Sequence, residues 1–160
     1  MITVTVPRIK DSGERREFST GAVRDIQDGK GRPSLMPLHV VANLLCDRLD
    51  GDPVMDKIAM FADTGNTHYL YLALIEFAEM AYEDSIETML LEVAIHYEQG
   101  CEKYGEDNWK KGIPVNCYLD SAIRHYLKYR RGDEDEFHHR SLVWNLMCCI
   151  WEVDDHNVED

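Results

Sequence analysis

The sequence predicts an all-α fold, an antiparallel bundle of about five helices with an extended N-terminal arm. Three observations point there. From Ser34 onward, apolar residues recur at three- and four-residue spacing in one segment after another. The segments are parted by short breakers such as LDGD, DTGN and EDS, and short connections between helices of about 15 residues favour antiparallel neighbours. Before Ser34, residues 1–33 alternate β-branched residues only in ITVTV and then run through Gly, Pro and charge in FSTGAVRDIQDGKGRP, with no helical stripe.

The elements follow in order. Leu35, Leu38, Val41, Ala42 and Leu45 predict a first helix over 34–49. Asp52-Pro53 offers an N-cap with proline at the first helical position, and Met55, Ile58, Ala59 and Phe61 continue it as a short helix over 53–62. Thr67 is placed to cap a third helix with Leu70, Leu74, Phe77, Ala78 and Ala81 on its apolar face, ending near residues 83–85. Ile86 to Lys103 carries Leu90, Val93, Ala94 and Tyr97 on one side and Glu92, His96, Glu98 and Glu102 around another. Val115 to Tyr129 repeats Leu119, Ala122, Ile123, Tyr126 and Leu127, and Arg130-Arg131-Gly132 gives it a cationic end and a C-cap glycine. A last helix is expected over 133–152, with Leu142, Leu146, Cys149 and Ile150 inward and Asp133, Asp135 and Glu136 near its N-terminus.

With 160 residues and 18.5 kDa the chain reads as one domain, 1–160, ending in an acidic tail over 153–160. Seventeen Lys and Arg against 30 Asp and Glu give a formal charge of −13, a field that repels nucleic-acid polymers and anionic membranes. A nucleotide remains compatible where metal ions sit between carboxylates and phosphates. No apolar run approaches the roughly 20 residues of a membrane span, and the N-terminus lacks a signal-peptide stretch, so a cytoplasmic protein is expected. The five cysteines form no CxxC and read as reduced thiols, mostly filling the core.

Three stretches carry candidate chemistry. Glu98 and Glu102 lie about 40° apart on one helix face, where two carboxylates repel unless a cation sits between them; the plainer reading is a solvated acidic face. In GDEDEFHHR, Asp135 stands three residues before His138 and four before His139, a spacing that suits one metal or one phosphate, or simply a helix start stabilised by acids. Asp120 and Arg124 are four apart, either an intrahelical ion pair or an arginine oriented towards a phosphate, with His125 beside them as a core histidine or a working one. Arg24, Lys30 and Arg32 sit among glycines in a basic turn that does not meet the Walker A spacing. The loop EKYGEDNWKKGIP, residues 102–114, holds more chemistry than a helix connection needs.

Taken together, FSTGAVRD, GKGRPSLMPL, LLEVAIHYEQGCEKYGEDNWKKGIP, LDSAIRHYLKYRRGDEDE and HHRSLVWNL, in that order, resemble the dATP/dGTP diphosphohydrolase family of phages and of bacteria carrying phage-derived genes. That family is similar to the MazG-like all-α NTP pyrophosphohydrolases. The resemblance runs from about residue 16 to 152 and leaves residues 50–85 outside the minimal catalytic core. It implies a Mg2+- or Mn2+-dependent enzyme, a dimer or tetramer, that splits a purine deoxynucleoside triphosphate into monophosphate and pyrophosphate. In the wider group, Glu-x-x-Glu and Glu-x-x-Asp hold the metal; this chain departs from that spacing and offers Glu92, Glu98 and Glu102 on one helix and Asp135, Glu136 and His138 on another. The family's motif positions in the basic parts are Lys30, Arg32, Lys103, Asn108, Trp109 and Arg124; from the chemistry of the side chains, Lys103, Arg124 and His125 are the candidate catalytic residues. Arg24, Lys30, Arg32, Asn108, Trp109 and Asp120 are the candidate substrate contacts, Trp109 stacking on a purine or else lidding the core. The competing readings are a nucleotide-binding module without turnover and a phage-related structural or interaction protein.

Overall fold

A computed structural model describes residues 9–46 and 51–156, so ITVTV, the expected end of the first helix at 47–49 and the tail beyond 156 lie outside the described residues. The arm is not merely extended. Arg15–Glu17 (β1) and Val23–Asp25 (β2) pair antiparallel, with Arg16 opposite Arg24, as a small hairpin. Its strands are short and charged, so they carry no apolar alternation by which a strand is normally read.

Six α-helices follow: α1 (Leu38–Leu44), α2 (Pro53–Thr64), α3 (His68–Ala81), α4 (Ile86–Tyr104), α5 (Val115–Arg131) and α6 (His138–Trp151). The fold is mostly helical, as the spacing predicts. The first helix is shorter than expected. Pro33–Leu35 forms a 3-10 turn and Met36 is extended (ψ 157°), because a residue before proline is pushed out of the helical region; α1 starts only after Pro37. The last helix starts late, at His138, and Asp133, Asp135 and Glu136 lie in the loop before it. There Asp133 accepts from Arg131 and Asp135 from His138, so the side chains that would have opened a helix close the loop instead.

The cap of α2 is as expected, and α4 has one that the sequence did not lead us to expect. Asp52 accepts from the Met55 amide (2.9 Å), and the Ser85 hydroxyl accepts from the Thr88 amide (3.2 Å). Thr67 makes no such cap; its hydroxyl donates to Asp154 (2.8 Å). Asp52 has a second use: it is buried and accepts the Tyr126 hydroxyl (2.6 Å), tying α5 to the start of α2. The core is built from Met55, Ile58, Leu70, Phe77, Tyr118, Ile123, Tyr126, Leu142 and Leu146, all fully buried, each large side chain adding about 1.5–3 kcal/mol by leaving water. α5 packs on α6, α6 on α4, and α2 on both α1 and α3.

α4 is turned differently from the expectation. Met89, Val93 and His96 face the core, while Leu90, expected inward, is 44% exposed beside Leu91 and Ile95. The five cysteines form no disulfide; Cys117, Cys148 and Cys149 are buried, and burial pushes the Cys148 thiol up to about 12. No helix among the described residues is long and apolar enough to cross a membrane.

Candidate functional site

The loop at 102–114 turns tightly at Gly105 (φ 89°) and Gly112 (φ 106°), conformations that suit glycine. Between them Asn108 is buried and spends its side-chain amide on the hairpin: its Oδ1 accepts from the Val23 amide (2.8 Å) and its Nδ2 donates to the Val23 carbonyl (2.7 Å). The Thr20 hydroxyl donates to the Gly112 carbonyl (2.5 Å), and the Tyr104 hydroxyl accepts from the Asp25 amide (3.1 Å). The loop therefore holds β2, and β2 carries Arg24 inward.

Arg24 lands between α5 and α6. Its guanidinium donates to the Ser121 hydroxyl (2.9 Å) and to Asn145 Oδ1 (3.3 Å), and it lies over the faces of Tyr118 and Trp144. Arg124, one turn along α5, donates to the same Ser121 hydroxyl (3.2 Å) and to the Gly31 carbonyl (3.0 Å). Two guanidinium groups thus converge on one neutral oxygen, and neither has a carboxylate in hydrogen-bond contact among the described residues. Burial, and next the charge of Arg24, push the Arg124 pKa down, though a guanidinium stays charged at neutral pH.

Around this pair opens a cleft of about 440 Å3. Lys and Arg line it at positions 10, 16, 24, 30, 103, 124 and 128, against the carboxylates of Asp11, Asp25, Asp120 and Glu136. In a chain of net charge −13 this is a local reversal of sign, a place that draws small anions. α4 contributes His96, Gly100, Lys103 and Tyr104, and α6 contributes Ser141, Trp144 and Asn145. Lys103 lies along the Tyr104 ring and donates to the Lys10 carbonyl.

At one wall of the cleft, His125 Nδ1 stands 2.9 Å from His138 Nδ1 and 3.5 Å from Glu136 Oε1, and His138 Nδ1 is 3.8 Å from the same oxygen. The far nitrogen of His138, Nε2, is 2.7 Å from Asp135 Oδ1. Burial, and then the neighbouring His138, hold His125 well below the usual histidine range. Hydrogen bonds from Lys10 and then His138 hold Asp135 below the usual carboxylate range. Two groups of three potential metal donors occur among the described residues: His125, Glu136 and His138, and Asp133, Asp135 and His138. In the second, Asp133 is bridged to Arg131 and Asp135 to Lys10. In the first the donors face one another at the cleft wall, so this is the group that fits a divalent cation.

Of the residues singled out in the sequence, the structure brings Arg24, Lys30, Lys103, Asp120, Arg124, His125 and Glu136 to the cleft, with His138 and Asp135 directly behind it. Asp120 is buried there on Arg32 (3.2 Å) and the Ser34 amide (2.8 Å). Glu92 is not among these groups: it accepts from Arg140 (2.5 Å). Glu98 and Glu102 are exposed on α4 outside the cleft lining. Trp109 packs edge-on against Tyr97 and Trp151, a lid over the core. Ser121, Lys128 and Asn145 were not singled out, and His96, expected on the polar side of α4 with the glutamates, is instead buried at the cleft. The spacing of Ser121, Arg124, His125 and Lys128 along one side of α5 was the available signal.

The family model described as dATP/dGTP diphosphohydrolase, N-terminal, matches residues 62–160, more than half of the chain. The chain belongs to the dATP/dGTP diphosphohydrolase family. Within it, the matched stretch begins inside α2 and takes in α3, so part of the 50–85 segment set apart in the sequence lies inside the match. The matched stretch also contains Lys103, Arg124, His125, Glu136 and His138, whereas the hairpin with Arg24 precedes it. No curated protein and no solved structure matches the chain.

Proposed function

We propose that the cleft between the hairpin, α4, α5 and α6 binds the phosphates of a purine deoxynucleoside triphosphate, and that the protein hydrolyses it to the monophosphate and pyrophosphate. The observation that carries this reading is the pair Arg24 and Arg124 on Ser121, two guanidinium groups without a carboxylate hydrogen bond among the described residues, at the floor of a cationic cleft in a family of this name. In the reaction a water oxygen bonds to the α-phosphorus and gives up a proton to solvent, the bond from that phosphorus to the bridging oxygen breaks, and pyrophosphate leaves with the electron pair. Arg24 and Arg124 orient the phosphates by forked hydrogen bonds. Lys103 and Lys128 neutralise the charge that grows on the leaving pyrophosphate. Ser121 and Asn145 fix Arg24 in advance, so little ordering is left for the moment of reaction. A divalent cation held by His125, Glu136 and His138 would supply Lewis-acid charge and a water of lowered pKa.

The test is incubation of the purified protein with Mg2+ or Mn2+ and each common dNTP and NTP in turn, with products resolved by ion-exchange chromatography. Monophosphate plus pyrophosphate from a purine dNTP, removed by EDTA and lowered at least about 100-fold by Arg124→Ala, is the expected result. No product from any nucleotide by the folded protein, or release of intact triphosphate, overturns it.

A further inference from the structure

The donor atoms at the cleft wall specify more than a divalent charge. His138 Nε2 lies 2.7 Å from Asp135 Oδ1, a carboxylate that also pairs with Lys10, so Nε2 is engaged on that side and Nδ1 is the ring nitrogen turned to the cleft wall. Nδ1 faces His125 Nδ1 and Glu136 Oε1. A carboxylate behind a histidine whose other nitrogen faces a shared point is the arrangement by which metal-ligating imidazoles are oriented. The three donors stand 2.9, 3.5 and 3.8 Å apart. Bonds of about 2.0–2.1 Å at tetrahedral angles place neighbouring ligands about 3.4 Å apart, and the observed separations bracket that value.

We infer that His125, Glu136 and His138 form a binding site for one transition-metal ion of the imidazole-accepting class (Mn2+, Co2+ or Zn2+), oriented by Asp135, and that this site discriminates against Mg2+. Magnesium takes oxygen ligands in near-octahedral order and is poorly served by two imidazoles and one carboxylate; first-row transition ions accept that set. The protein supplies three ligands, and the cleft leaves the remaining positions to water or phosphate oxygen, which is the form of a working rather than a structural site. His138 is buried and His125 and Glu136 line the cleft, so an ion there is reached from the cleft side. This inference rests on the same cleft as the proposed reaction but on different atoms from those that grip phosphate.

Co2+ titration of chelator-treated full-length protein, without nucleotide, tests it. Expected are visible d–d bands that saturate at about one equivalent, two downfield-shifted imidazole N–H proton signals in the Co2+ form, and calorimetric affinity for Mn2+ and Co2+ at least about 100-fold above that for Mg2+. His125→Gln and Glu136→Gln should each abolish the bands with the helical circular dichroism intact, and Asp135→Asn should weaken binding about 10–100-fold. Absence of the bands and shifted signals, their survival in both ligand variants, or equal affinity for Mg2+ overturns the site. Hydrolysis by Mg2+ alone in a protein that fails this titration would leave the proposed reaction standing, so the two readings fail separately.

Discussion

Glu98 and Glu102 on α4 and Asp135 and Glu136 ahead of α6 are both closely spaced carboxylates on elements that pack against each other, yet they end in different surroundings. The first pair is exposed on the outer side of α4. The second is drawn to histidines: Asp135 bonds His138 at 2.7 Å, and Glu136 stands 3.5 Å from His125 at the cleft wall. Spacing brings two acids to one side of a helix, but it does not choose which side faces a partner. What chose here was the surrounding core: Met89, Val93 and His96 claim the inner side of α4 and leave Glu98 outside, whereas the end of α5 at Gly132 turns the next loop back onto His125.

That contrast breaks most sharply in turnover. Glu136→Gln should lower hydrolysis of the best nucleotide at least about 100-fold, while Glu98→Gln stays within about twofold, as for a surface substitution; steady-state rates on both variants decide it. A large loss in Glu98→Gln would return the outer side of α4 to the site.

The inner side of α4 also carries a pH signature. Burial beside Trp144, with the charge of Arg140 next in effect, lowers the His96 pKa to about 4. A histidine kept neutral in the fold binds its proton more readily when unfolded. Its contribution is therefore complete above the unfolded pKa of about 6.5 and is lost as pH falls towards 4, about 3 kcal/mol over the window; buried His125 acts in the same direction. Urea midpoints between pH 7 and 4 should fall steeply in the natural protein and less so in His96→Gln.

The smallest of these effects concerns the loop that holds the hairpin. Asn108→Ala removes two hydrogen bonds and leaves the Val23 amide and carbonyl without their partner, a cost of about 2 kcal/mol by denaturant unfolding. Nucleotide affinity should fall with it, since Arg24 is the next residue. Unchanged affinity would mean that Arg24 holds its place without the stitch.

The helices were largely legible because several of their ends are written in capping chemistry: Asp52-Pro53 at a start, Gly65 and Gly132 at stops. The hairpin was not, since RRE and VRD owe their pairing to backbone bonds and to an asparagine 85 residues away. The side of α4 was ambiguous because Met89, Leu90, Leu91, Val93, Ala94, Ile95 and Tyr97 surround most of its circumference, and no periodicity selects among them. Of the site, Arg124, His125, Glu136 and His138 stand close in the chain and could be read as a group. Ser121 and Asn145 have meaning only once Arg24 arrives between them.

The hairpin's placement makes the cleft floor a matter of long-range contacts. Neighbouring helices close over short stretches of chain, but Arg24 reaches Ser121 and Asn145 across 97 and 121 residues. Closing such long loops costs more entropy than docking adjacent helices. The floor of the cleft is consequently assembled from distant parts of the chain, through contacts that carry a larger loop-closure cost than those between adjacent helices.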